Sequence, residues 1–200
     1  MPSSNQRISI SSFYTPAPSR QQSLPLRQNS LPAPLPVQPI QTDVDANIYG
    51  CLFTRGDGTF HYALGVDNGT PKDTRLTLQK LHVTNPAGGW IFETKEMVLR
   101  KGDVYGTCCV VLKIGKLGRF QIGDLERLLL PKTPTPKDGE ARSLSHVWFI
   151  RAIQTLKANK VVHCTNIDAL TNELAELGNR QYKETEMGKG YILATSDNCW

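Results

Sequence analysis

The chain has no apolar run of about 18 residues, so no membrane-spanning helix is expected. Its first residues hold no apolar stretch of secretory length, which argues against a signal peptide. Asp and Glu are missing from the first 42 residues, where three arginines and many serines sit. That composition resembles a mitochondrial presequence, but eight prolines between Pro2 and Pro39 would break the amphipathic helix such a signal needs. No CxxC pair occurs, so the usual structural zinc signature is missing. The five cysteines (Cys51, Cys108, Cys109, Cys164 and Cys199) are odd in number and irregularly spaced. No disulfide framework is expected from them, which favours a reducing compartment, cytoplasm or nucleus. The P-loop, GxGxxG, HExxH and GxSxG patterns are all absent, which argues against nucleotide, dinucleotide, zincin and α/β-hydrolase readings.

The chain does hold 23 basic and 18 acidic residues, a net charge of +5. The basic groups are scattered among acids, as in Lys95–Glu96 and Lys183–Glu184, rather than gathered in a stripe with aromatics. A nucleic-acid partner is therefore not expected. Residues 1–45 read as a disordered Pro/Ser/Gln-rich tail: apolar residues are few, and proline fixes an extended backbone. Within it, Arg20-Gln-Gln-Ser23-Leu-Pro25 nearly repeats as Arg27-Gln-Asn-Ser30-Leu-Pro32. An arginine three residues before a serine suits basophilic kinases. Phosphorylated Ser23 and Ser30, each with a proline two residues on, would resemble sites for a 14-3-3-type partner. Chance matches in a Ser/Pro-rich linker remain the alternative. The PxxP-like stretch Pro32–Pro39 would suit an SH3-type groove.

Residues 46–200 read as one α+β domain. Strands are expected over Asn47–Thr54, Phe60–Val66, Leu76–Thr84, Trp90–Leu99 and Thr107–Ile114, with Asn68-Gly69 marking a turn. Asn68 also opens a formal N-x-[ST] match. Helices are expected over Gly123–Leu130, Ser145–Leu156 and from Asn166 to about Lys183, with Ser143 or Ser145 and Thr165 as N-caps. Strands followed by helices imply an antiparallel sheet of about five strands followed by two or three packed helices. Cys108, Cys109, Trp90 and Trp148 are expected in the core.

The four histidines are the candidates for chemistry. His61 opens a strand, His82 lies in the next, His146 follows Ser145 at a helix start, and His163 precedes Cys164. A strand histidine facing a nucleophile at a helix N-terminus is the arrangement by which thiol enzymes activate cysteine. The stretches His61-Tyr-Ala-Leu64, Lys80-Leu-His82, Trp90-Ile-Phe-Glu93, Cys109–Lys116 and Ser145-His-Val-Trp148 resemble a fungal domain family of unknown function. That family reads HWAL, FHxK, WxYEE and NCxxWV in order. It is distantly similar to permuted papain-like folds of the lecithin retinol acyltransferase-like group. The resemblance spans about residues 50 to 187. It implies a permuted papain-like architecture, with His61 and His82 at the histidine positions and Ser145 where the cysteine belongs.

A serine hydroxyl does not ionise usefully at a helix N-terminus and would depend wholly on His61 as general base. Two functional readings follow. In one, the domain has lost its catalysis and serves as a binding or accessory module. In the other, Ser145 and His61 run acyl transfer or amide hydrolysis. A third places the function in the tail. Each residue also has a plainer role: His61 and His82 as strand histidines bonded within the fold, Ser145 as a helix cap, and Glu93 as an exposed strand carboxylate. His146 would be a solvated first-turn residue, and His163-Cys164 is too small a set to hold a metal. No cofactor is called for.

Overall fold

The computed structural model describes residues 46–67, 75–86, 88–100, 107–135 and 144–200. The tail with Ser23 and Ser30, the Asn68-Gly69 turn and the Ser143 cap lie outside them. Strands β1 (Asn47–Thr54), β2 (Phe60–Asp67), β3 (Arg75–Thr84), β4 (Ile91–Arg100) and β5 (Cys108–Lys116) come first. Helix α1 (Ile122–Leu129) runs into a 3-10 turn over Leu130–Lys132. Helices α2 (Leu144–Ala158) and α3 (Ile167–Glu186) and a short strand β6 (Ile192–Thr195) follow. The expected α+β class and the strand-then-helix order hold, with element ends within about two or three residues of those read from the pattern.

The six strands form one sheet in the order β4-β3-β2-β1-β5-β6. All neighbours are antiparallel except β5 and β6, which pair parallel from Val110–Ile192 to Lys113–Thr195. The sixth strand escaped the sequence reading because Ile192–Thr195 is only four residues long and follows a turn rich in glycine. The central strands β1 and β5 are buried on both faces, which is why their sequences read as apolar runs rather than alternations.

Two cores result. The larger lies between the sheet and the helices, around Leu52, Leu64, Leu112, Trp148, Phe149 and Leu174. The smaller, on the other face, gathers Tyr49, Cys51, Phe53, Ala63, Leu78 and Cys108. Trp148, Cys108 and Cys109 are buried as expected, while Trp90 packs only half-buried against the larger core. Gly178 lets α3 approach the sheet: a Cβ there would lie 2.9 Å from Leu52 Cδ1 and 3.0 Å from Phe60 Cζ.

Several local assignments differ from the pattern. Asn166, not Thr165, caps α3, its Oδ1 accepting from Ala169 N at 3.1 Å. Thr165 is drawn away instead, bonding Asn198 O through both its backbone N–H and its hydroxyl. Ser145 lies inside α2 rather than at its cap. Cys164 and Cys199 form a disulfide, flanked by paired backbone bonds between His163 and Trp200. This pairing corrects the expectation drawn from cysteine number and spacing. Two cysteines 35 residues apart give no local signal, because their meeting depends on where β6 returns. The cysteine argument for a reducing compartment therefore lapses, and Cys164 is not free to join His163 as a thiolate ligand.

Buried Asp67, at the end of β2, is a structural carboxylate that no motif announces. It accepts from Asn47 N (2.6 Å), Asn47 Nδ2 (2.8 Å) and the Tyr49 hydroxyl (2.7 Å), tying β2 to the start of β1. Burial, followed by this bond, drives the Tyr49 phenol pKa up.

Candidate functional site: a histidine pair and a buried serine

The β2–β3 ladder is regular from Asp67–Leu78 to Leu64–Leu81 and then stops. His61 and Tyr62 on β2, and His82 and Val83 on β3, lie beyond its last pair. This opening of the sheet is where the sequence-derived candidates converge, one set on each face.

On the face away from the helices, His61 Nε2 lies 3.0 Å from His82 Nδ1, with the rings edge to face at 87°. His82 Nε2 lies 2.8 Å from Glu93 Oε1 on β4, whose Cα is the register partner of His82. The second contact is close but poorly aligned for a hydrogen bond, since Nε2 is a buried nitrogen without a well-directed partner. The carboxylate nonetheless favours the Nε2–H tautomer of His82, leaving Nδ1 to accept from His61 Nε2–H. Glu93 is thus engaged with His82, although its side chain stays 41% exposed.

The environment keeps this pair neutral. Burial, then His82, Lys80 and Arg55, lower the His61 pKa to about 3. Burial, then Lys80 and Lys95, lower that of His82 to about 4. The cations are local: Lys80 Nζ sits 5.1 Å above the Phe53 ring, and Phe53 packs against His61. At neutral pH the His82–Glu93 contact is therefore a neutral imidazole against a carboxylate rather than an ion pair.

Ser145 lies on the helix face of the same opening. Side chains alternate along a strand, so Tyr62 points to the helices while His61 points away. The Tyr62 ring packs on His146 (4.6 Å) and Phe149 (5.7 Å), and Leu81 and Val83 on either side of His82 belong to the helix-facing core. The Ser145 side chain is fully buried. Its Oγ accepts from Tyr62 N and from Arg55 Nη2, each at 3.3 Å. Neither partner is a histidine. The expected order along the chain is present, but His61 meets His82 while Ser145 meets the backbone beside them.

His146 also differs from a solvated first-turn residue. Its ring is half-buried on Tyr62, and burial lowers its pKa. His163 is exposed and stacks on Trp200, with ring centroids 6.1 Å apart and planes inclined by 10°. Among the described residues no group of three His, Cys, Asp or Glu side chains is placed to hold a metal ion.

The sequence reading missed Arg55. It follows the last residue of β1, reaches the Ser145 hydroxyl and contributes to the field at His61. Its one signal was its place in the Arg55-Gly-Asp-Gly58 turn, which reads as hairpin chemistry. No family model, curated protein or solved structure matches this chain.

Proposed function

We propose that residues 46–200 form a papain-like domain whose nucleophile position has been retired, and that it acts as a non-catalytic binding or accessory module. One observation carries this reading: the Ser145 hydroxyl is fully buried and accepts from Tyr62 N. A nucleophilic serine must be reachable by substrate and must hand its proton to a base within hydrogen-bond reach. Ser145 instead fills a backbone vacancy in the opened sheet. The fungal-family and permuted papain-like resemblance rests on the order His61, His82, Ser145 and Trp148.

On this reading the histidine pair is a structural lock across the opened strands. The bond between the two neutral imidazoles satisfies His61 Nε2 and His82 Nδ1 across the opened strands, and Glu93 lies against His82 Nε2. The test is labelling with a fluorophosphonate that modifies activated hydroxyls, on wild type and Ser145→Ala. Equal, background-level labelling of both is expected. Labelling of the wild type at Ser145, lost in the variant, would establish the acyl-transfer or hydrolase alternative.

A further inference from the structure

A cavity lies apart from the histidine pair and Ser145. It measures about 650 Å³ and lies where the end of β5, the turn into α1, the end of α2 and the 196–200 segment meet. Lys113, Lys116, Arg119 and Lys160 line it, and among the described residues no Asp or Glu does. Its walls are otherwise largely apolar, and one side carries the stacked pair His163 and Trp200. Trp200 is 65% exposed, so one indole face is covered by His163 and much of the ring remains open.

A second observation sharpens the first. Lys160 has a φ of +59°, the single non-glycine residue in the left-handed region among the described residues. It closes α2: Lys160 N bonds Lys157 O at 3.0 Å and Val161 N bonds Leu156 O at 2.9 Å. That paired pattern places Lys160 at the position where helices most often carry glycine. Here an exposed lysine holds the strained site instead, and it lines the cavity. A strained residue at a cavity mouth points to a role in binding rather than in folding.

From these features we infer that the cavity binds a small aromatic phosphate of nucleotide size, its planar ring against Trp200 and its phosphate against Lys160, Arg119 and Lys113. The volume falls within the range of small-ligand sites. Exposed aromatic faces accept planar rings, and clustered lysine and arginine side chains accept phosphate. The site is independent of the Ser145 reading, since it shares no residue with the histidine pair. It is also not a P-loop: side chains, rather than a glycine-rich backbone cradle, would hold the anion. The Cys164–Cys199 disulfide fixes the wall that carries both rings.

The test is isothermal titration calorimetry of the full chain with adenosine diphosphate, inorganic pyrophosphate and adenosine. Adenosine diphosphate should bind at least about tenfold more tightly than either fragment, because it alone engages both halves. Arg119→Gln, Trp200→Ala and Lys160→Gly should each weaken it at least about fivefold. Lys160→Gly is the decisive variant: glycine relieves the backbone strain, so its melting temperature should hold or rise while binding falls. Undetectable binding of adenosine diphosphate at millimolar concentration would overturn the inference. So would pyrophosphate binding as tightly as the nucleotide, or Lys160→Gly binding like wild type.

Discussion

Replacing Ser145 by alanine separates a structural serine from a catalytic one by the sign of its effect on stability. The hydroxyl is fully buried and accepts from Tyr62 N at 3.3 Å. The regular β2–β3 pairing ends at Leu64–Leu81, so no ladder bond of that pair replaces the lost acceptor. A buried donor left without a partner costs about 1–3 kcal/mol. The Arg55 contact adds little, because the arginine is exposed and solvent takes over its donor. Alanine is the better helix former inside α2, which offsets about 0.5 kcal/mol. The net expectation is a loss of about 0.5–2.5 kcal/mol, or about 1–10 °C in melting temperature for a domain of this size. Urea titrations followed by far-UV circular dichroism measure it, with the slope held equal between variants. A residue kept for chemistry commonly gains stability when removed. Unchanged or increased stability in Ser145→Ala would therefore refute the structural role.

Three further expectations follow from the same fold. The lowered pKa values of His61 and His82 mean that the unfolded chain binds more protons than the folded one between about pH 4 and the ordinary histidine value near 6.5. Their contribution to stability is therefore complete above about pH 6.5 and falls as the pH drops through that window. The slope approaches about 1.4 kcal/mol per pH unit for each proton taken up. A His61→Phe, His82→Phe double variant should flatten denaturation midpoints measured from pH 4 to 7; an unaltered slope would show that other groups set it. Asp67→Ala should cost about 2–4 kcal/mol, because it strands Asn47 N and the Tyr49 hydroxyl at the start of β1, whereas Tyr49→Phe should cost about 1 kcal/mol. Chemical denaturation of both tests the order, and a reversed order would remove Asp67 as the anchor. Paired Cys164→Ala and Cys199→Ala changes, or a reductant, should lower stability by about 3–4 kcal/mol in the chain-entropy limit for a 35-residue separation, and an intact-mass difference of two hydrogens should report the bond.

The sheet and helices were readable in the sequence because each rests on a local signal. The apolar runs of β1 and β5, the apolar spacing in α2 and the acidic first turn at Asp124 needed no tertiary information. What depended on distant partners was not readable. The four-residue β6 is a strand only because β5 offers a free edge. Asp67 reads as a turn residue until Asn47 and Tyr49 close on it. The candidate site was half visible. His61 and His82 are named from their order along the chain; that they share one face is seen only in the structure, where Ala63 and His82 sit between helix-facing neighbours. Strand alternation turns His61 away from the helix that carries Ser145. Order along the chain does not encode which face of the sheet a helix covers. Nor does it show that the ladder stops at Leu64, creating the backbone vacancy that the serine fills.

The side chain at position 145 meets Tyr62 N and Arg55 and no imidazole. Installing the thiol that the papain-like pattern calls for, by Ser145→Cys, tests it directly. Site-resolved mass spectrometry of iodoacetamide alkylation across pH reads the thiol pKa at that position apart from Cys51, Cys108 and Cys109, which are buried. A cysteine paired with histidine at a helix N-terminus has its pKa drawn well below the ordinary value of about 8.5. Slow alkylation is expected, with an apparent pKa at or above that ordinary value, unchanged by His61→Ala. Fast alkylation with a pKa below about 7, restored to normal by His61→Ala, would contradict it.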